Sequence, residues 1–132
     1  MKKIEVVAAI IKNEDAVLCC QRGESKLPYI HKKWEFPGGK IEDGETKEEA
    51  LKREIREELN MAISELDFFL TVVHEYPDFI LTMHAFKAKT SVLDPMLNEH
   101  LDSRWLSIDQ LTSLDWAEAD IPIIQKLMKD YQ

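Results

Sequence analysis

Cross-links and chain breakers are scarce in this 132-residue sequence, which holds two cysteines, four glycines and five prolines. The cysteines, Cys19 and Cys20, are adjacent in a strand-like run, so their side chains point to opposite faces and are poorly placed to bridge each other. A disulfide framework is excluded, and a reducing interior fits. No stretch is rich in Gly, Ser or Pro, and there is no internal repeat or low-complexity tract, which leaves no linker between two domains. No apolar run approaches the roughly 18 residues of a membrane span, and Met1-Lys2-Lys3 followed by Ile4-Glu5 is unlike a signal peptide. The expectation is a cytoplasmic protein with no membrane partner. Positive charge is short as well: 17 Lys+Arg stand against 25 Asp+Glu, a net charge of −8. That excludes a broad surface for polymeric nucleic acid, which clustered Lys and Arg would hold, but not a small phosphorylated ligand.

What is present is a globular composition, 45% apolar and 32% charged, sized for one domain over residues 1–132. The acidity is uneven. Residues 42–58 carry Glu42, Asp43, Glu45, Glu48, Glu49, Glu54, Glu57 and Glu58 against Lys47, Lys52, Arg53 and Arg56, which is half the net charge of the chain.

Ile4 to Ile11 and Ala16 to Cys20 read as a hairpin around Asn13-Glu14-Asp15, and Gly23 to Lys33, with no clear period, reads as a loop. Trp34-Glu35-Phe36 is a short strand that Pro37-Gly38-Gly39 should end. From Thr46 the period becomes helical: Thr46-Lys47-Glu48-Glu49 has the form of a capping box, Leu51, Ile55 and Leu59 recur every four residues, and Asn60 suits a left-handed stop. Strands are expected at about Asp67 to Glu75 and Phe79 to Lys89, joined by a turn at Tyr76-Pro77-Asp78. A further short strand is expected at Arg104 to Leu106, with Ser107 capping a short helix. A last helix should begin near Asp120-Ile121-Pro122, with Ile124, Leu127, Met128 and Tyr131 on its apolar face. The pattern predicts an α/β layered domain with a mixed sheet covered by helices.

On a helical wheel at about 100° per residue, Glu54, Glu57 and Glu58 fall within an arc of about 100°, beside the stripe of Leu51, Ile55 and Leu59. Like charges roughly 5–6 Å apart repel by about 3 kcal/mol at an effective dielectric near 20, so a positive partner is expected. Oxygen-only donors on one face suit a hard divalent cation such as Mg²⁺ or Mn²⁺. The plainer reading is a solvated acidic helix with i,i+4 pairs Glu48–Lys52, Glu49–Arg53 and Arg53–Glu57. Upstream, Phe36-Pro37-Gly38-Gly39-Lys40 favours the metal, since glycines permit close approach and carbonyls can complete a metal shell.

Gly39, Glu45 and the run Arg53-Glu54-Ile55-Arg56-Glu57-Glu58-Leu59-Asn60-Met61 resemble the Nudix box, G-x5-E-x7-R-E-U-x-E-E-x-G-U with U apolar, at eight of its nine restricted positions. The departure is Asn60 where the family usually has Gly, and Asn is the next best residue for a left-handed helix end. Gln21-Arg22, Trp34 to Lys40, Glu75 to Asp78, Glu99, Trp105 and Ala119 to Pro122 extend the similarity to the MutT branch and related CTP pyrophosphohydrolases.

The resemblance implies a Nudix-type α/β/α sandwich and the reaction NTP + H₂O → NMP + pyrophosphate, assisted by two or three Mg²⁺ or Mn²⁺ ions. It implies Glu54, Glu57, Glu58 and the Gly38 carbonyl as metal ligands, with Glu45 and Arg53 as an orienting pair. Glu99 corresponds to an added loop carboxylate that reaches the metal or the attacking water. Either Glu54 or Glu99 could serve as the base. Arg22 and Lys40 are candidates for phosphate contacts, though each alone is as readily a solvated base. Asp120 matches the position from which the branch reads the base. As a carboxylate it would accept hydrogen bonds from a cytosine amino group or an oxidised guanine, or it caps the last helix, or both. Phe36 and Phe79 are candidates for packing on a base, and equally for core.

The four histidines make no zinc motif, and His31, His74, His84 and His100 read as structural or solvent-exposed; no nucleophile elbow is present. Three readings follow: a triphosphate pyrophosphohydrolase acting on 8-oxo-dGTP or cytidine triphosphates, a Nudix hydrolase of another nucleoside diphosphate derivative such as a sugar or dinucleoside polyphosphate, and a non-catalytic nucleotide sensor. The intact Glu54, Glu57 and Glu58 count against the sensor. A monomer and a homodimer are both compatible with the sequence.

Overall fold

The computed structural model describes residues 1–131. β1 (Lys2–Asn13) and β2 (Ala16–Gln21) form the expected hairpin, with Glu14 at φ 54° in its turn. Beyond that turn the two strands part. β1 runs parallel to β6 (Phe79–Lys89) from Lys2↔Phe79 to Lys12↔Lys89, while β2 pairs with β7 (Asp102–Ser107) and, at its end, with β3 (Trp34–Glu35). β5 (Ser64–Glu75) is antiparallel to β6 at the sheet edge and starts three residues earlier than its sequence pattern suggests.

Pro37 does not end pairing as expected. Gly38–Lys40 form β4, antiparallel to β1 through Ala8↔Gly38 and Val6↔Lys40. The reason is geometric: the gap between β1 and β2 leaves an edge of β1 unpaired, and Phe36-Pro37 carries the chain across it, with Ala9 N–H donating to Pro37 O at 2.8 Å. Gly38 is required there, because a Cβ on it would fall 1.9 Å from the Val7 carbonyl oxygen.

α1 (Lys47–Leu59) has the expected capping box, with Glu49 N–H bonded to Thr46 Oγ1 at 3.1 Å and Thr46 N–H to Glu49 Oε1 at 2.8 Å. Asn60 ends it at φ 53°, ψ 41°, its N–H donating to Arg56 O. α2 (Ile121–Tyr131) follows a 3₁₀ turn at Glu118–Asp120, and another 3₁₀ segment, Ile108–Ser113, follows β7 behind the expected Ser107 cap.

Alternation along β1 divides the core. Val7, Ala9 and Ile11, with Leu18 and Cys20, pack on Leu51, Ile55 and Leu59 of α1. Ala8, Ile10, Val17 and Cys19 face Trp34, Phe36, Trp116 and the Ile123, Ile124 and Leu127 side chains of α2. The result is the α/β/α sandwich. Both cysteines are free and buried on opposite faces, and burial pushes the Cys19 thiol up to about 12. Tyr131 departs from its expected place on the apolar face: it is exposed at the last turn of α2, while Ile123 in the first turn is buried.

Candidate active site

Burial of the α1 carboxylates follows their angle from the apolar stripe. Glu58, nearest to it, is 8% exposed; the Glu54 side chain is 15% exposed; Glu57, farthest round, is 59% exposed. Arg53 organises this face. Its Nε and Nη2 take both oxygens of Glu45 at 2.7 and 2.9 Å, Nη1 reaches Glu54 at 2.9 Å and Glu57 at 3.2 Å, and Nη2 also donates to Lys40 O at 3.0 Å. Hydrogen bonding by Arg53 lowers the Glu45 pKa, and the carboxylates in turn raise that of Arg53. Of the three i,i+4 pairs read from the sequence, Arg53–Glu57 forms; Glu49 is instead committed to the cap and Arg53 to Glu45.

β4 seats the loop against this face. A Cβ on Gly39 would stand 2.4 Å from Glu54 Cδ, so only glycine lets the carboxyl lie against the strand. Glu58 Oε2 is buried with no hydrogen-bond partner. Burial, the adjoining Glu99 carboxyl and the nearby Glu35 push the Glu58 pKa up to about 9. Burial also raises that of Glu54, against the opposing pull of Arg53. An orphaned buried carboxylate oxygen beside a second carboxyl is unfavourable unless a proton or a cation is shared. This oxygen-only set fits a hard divalent ion. Among the described residues no three His, Cys, Asp or Glu side chains converge closely enough to hold an ion as they stand, because Glu57 and Glu54 are turned to Arg53.

A cleft of about 400 Å³ opens beside these groups, where β1 and β2 part. Its lining includes Glu58, Glu99, Gly38, Gly39 and Lys40 together with Phe36, Phe79, Tyr76, Met83 and Asp120. Glu35 also lines the cleft, accepting from Arg22 Nη1 at 2.9 Å and bonded to His100 Nε2 at 3.0 Å. Arg22 thus faces the cleft already paired, not as the free cation its sequence position suggests. His100 takes the structural side of its reading: it is buried on Glu35, and it lines the cleft. The sequence carries a signal for Glu35, since a residue between two aromatics in a strand-like run points to the face opposite theirs.

Asp120 is buried, and its Oδ2 accepts from Phe36 N–H at 2.9 Å instead of from the first turn of α2. Burial and the nearby Glu35 raise its pKa well above the usual carboxylate range. Phe36 is both core, at 4.8 Å from the Trp116 ring, and cleft wall; Phe79 lies 5.1 Å from the Tyr76 ring.

The NUDIX domain family matches residues 1–127. The chain belongs to the Nudix hydrolase family. This Nudix protein is 33% identical to an 8-oxo-dGTP diphosphatase of Escherichia coli (strain K12), over 98% of its own length and 99% of that protein. It is 34% identical to a CTP pyrophosphohydrolase of the same organism, over 97% and 93%. The crystal structure of a MutT protein from Methanosarcina mazei Go1 superposes with a TM-score of 0.84 at 25% identity, covering 99% of this chain and 96% of that one. Nudix hydrolases generally depend on a divalent metal. No helix among the described residues is long and apolar enough to cross a membrane.

Proposed function

We propose that this Nudix protein is a single-domain, cytoplasmic nucleoside triphosphate pyrophosphohydrolase that uses Mg²⁺ or Mn²⁺ and releases a monophosphate and pyrophosphate. The observation that carries the reading is Glu58 Oε2, a buried carboxylate oxygen with no partner, beside Glu54 at the foot of a cleft sized for a nucleotide. Glu54, Glu57, Glu58, Glu99 and the Gly38 carbonyl would hold the metal, two to three ions with substrate. Bound divalent ions supply charge neutralisation on the phosphate oxygens and acidify water.

The chain's own groups do the rest. Glu45 fixes Arg53 at two points, and Arg53 in turn aims Glu54 and Glu57. Glu54 or Glu99 accepts the proton of the attacking water. Arg22, held by Glu35, and Lys40 contact phosphate oxygens, and Phe36 and Phe79 pack on the base. With Oδ2 of Asp120 committed to Phe36 N–H, Oδ1 faces the base. The names of the relatives, 8-oxo-dGTP diphosphatase and CTP pyrophosphohydrolase, support oxidised guanine and cytosine as the bases to test.

The deciding assay offers purified protein with Mg²⁺ or Mn²⁺ a panel of 8-oxo-dGTP, CTP, dCTP, 5-methyl-dCTP, ADP-ribose and diadenosine polyphosphates, with product identification. Monophosphate plus pyrophosphate from a triphosphate is the expected result. Turnover of ADP-ribose or a dinucleotide alone would move the activity to another nucleoside diphosphate derivative. No turnover of any member would leave a nucleotide sensor. Full activity in Glu57→Gln would refute the metal site.

A further inference from the structure

The last carbonyls of an α-helix have no partner within the helix, and what satisfies them in α1 comes from a distant loop. Asn60 N–H takes Arg56 O at 3.0 Å, closing the helix locally. The next three carbonyls, those of Glu57, Glu58 and Leu59, accept from a segment between β6 and β7 that has no regular structure of its own. Asn98 Nδ2 donates to Glu57 O at 2.8 Å, Asn98 N–H to Glu58 O at 3.1 Å, and Met96 N–H to Leu59 O at 2.9 Å. Asn98 therefore grips two consecutive carbonyls, and they belong to the two glutamates at the C-terminal end of the acidic face. The residue that follows it is Glu99, whose carboxyl adjoins that of Glu58 in the cleft. On its other side the segment is held by Leu101 N–H on Gln21 O at 2.9 Å.

We propose that Asn98 is a positioning residue, whose two hydrogen bonds to the Glu57 and Glu58 carbonyls hold the Glu99 carboxylate in register with the α1 glutamates. The proposal rests on the pyrophosphohydrolase reading above and adds the device that places its loop carboxylate. Glu99 is exposed and sits on irregular backbone, where a side chain alone has many orientations. A backbone donor one residue before it, tied to the residue it must meet, removes most of that freedom. The side-chain amide adds a second point of attachment, so that the segment cannot pivot about a single hydrogen bond. A carboxylate oxygen at that position, which cannot donate, would repel the helix carbonyls, and its negative charge would also oppose the helix dipole.

The test is a double-mutant cycle between Asn98→Ala and Glu99→Gln, with kcat and KM measured for the best triphosphate and Mn²⁺ affinity measured by calorimetry. Loss of Glu99 should lower kcat about a hundredfold, in the range of a displaced acid-base or metal-orienting group. Asn98→Ala should lower kcat about tenfold with little change in KM, as a modest misplacement would. In the Glu99→Gln background it should cost nothing further in kcat, because the group it places is already gone. Asn98→Ser, which keeps a short donor, should recover part of the loss, and Asn98→Asp should be worse than Asn98→Ala. Circular dichroism melts of all variants separate this from general loosening. Equal kcat losses from Asn98→Ala in both backgrounds would overturn the proposal, as would an inert Glu99→Gln or an inert Asn98→Ala. A wild-type protein with no triphosphate turnover would instead overturn the function it rests on.

Discussion

The carboxyl group of Glu54 occupies the space that a side chain on Gly39 would need, since a Cβ there would fall 2.4 Å from its Cδ. Glycine and glutamate, fifteen positions apart in sequence, are thus two halves of one fitting. Gly39→Ala is expected to displace Glu54 and lower kcat about a hundredfold, the usual effect of misplacing a reacting group by an ångström. Because the obstructed atoms are the end of a flexible side chain, the fold should survive. Gly38→Ala meets the backbone of Val7 and Ala8 instead, which cannot yield, and should cost about 1–3 kcal/mol or more of stability. Denaturant melts and kinetics on both variants check the contrast. Equal destabilisation by the two would contradict it.

Arg53 joins Glu45, Glu54, Glu57 and the Lys40 carbonyl through five nitrogen–oxygen contacts of a planar fork. A lysine cannot reproduce that arrangement. Arg53→Lys should therefore lose about 10–100-fold in activity or Mn²⁺ affinity, close to the loss from Arg53→Ala, as expected for a group that orients metal ligands. Retention of wild-type affinity in Arg53→Lys would show that charge alone suffices.

The raised Glu58 pKa sets the direction of a pH effect. In an unfolded chain this carboxyl titrates near 4.5, and in the folded metal-free protein near 9, so between those values the folded state keeps a proton that the unfolded state has lost. Its contribution to stability is therefore complete below about 4.5 and falls away as pH rises towards 9. Burial raises Glu54 and Asp120 in the same direction. In chelator the thermal midpoint should decline over that window, less steeply in Glu58→Gln. Added Mg²⁺ should restore it, and more so at higher pH, since binding releases the proton. A Mg²⁺ effect that is flat with pH in the wild type would count against Glu58 as a ligand.

Asp120 has two separable tasks. Its Oδ2 satisfies the buried Phe36 N–H, so Asp120→Ala should cost about 1–3 kcal/mol, the penalty for stranding a buried donor. Asp120→Asn keeps an oxygen for Phe36 and should spare stability and Mn²⁺ binding while changing the ratio of kcat/KM between cytosine and oxidised guanine triphosphates. If that ratio held constant, Asp120 would serve the fold alone.

How much of this was legible in the sequence depended on the distance over which each feature is decided. The capping box at Thr46, the left-handed stop at Asn60 and the stripe of Leu51, Ile55 and Leu59 are local, set by side chains within a turn of one another, and all stand as read. The acidic face was legible for the same reason, as one arc of glutamates beside that stripe. Pro37-Gly38-Gly39 reads as a strand end, yet Gly38–Lys40 form β4, because their partner, β1, lies some thirty residues away in sequence. No local pattern announces a gap between two strands.

Sequence alone determined the Nudix box, the α/β layers and the concentration of negative charge on one helix, because periodicity and short-range spacing suffice for these. Only the tertiary structure decided which carboxylate is stranded, that Arg22 and His100 meet on Glu35, that Asp120 serves Phe36 before α2, and that Asn98 fastens a distant loop to the end of α1. Each of these is a contact between segments far apart along the chain, and burial and hydrogen-bond supply exist only once those segments have met.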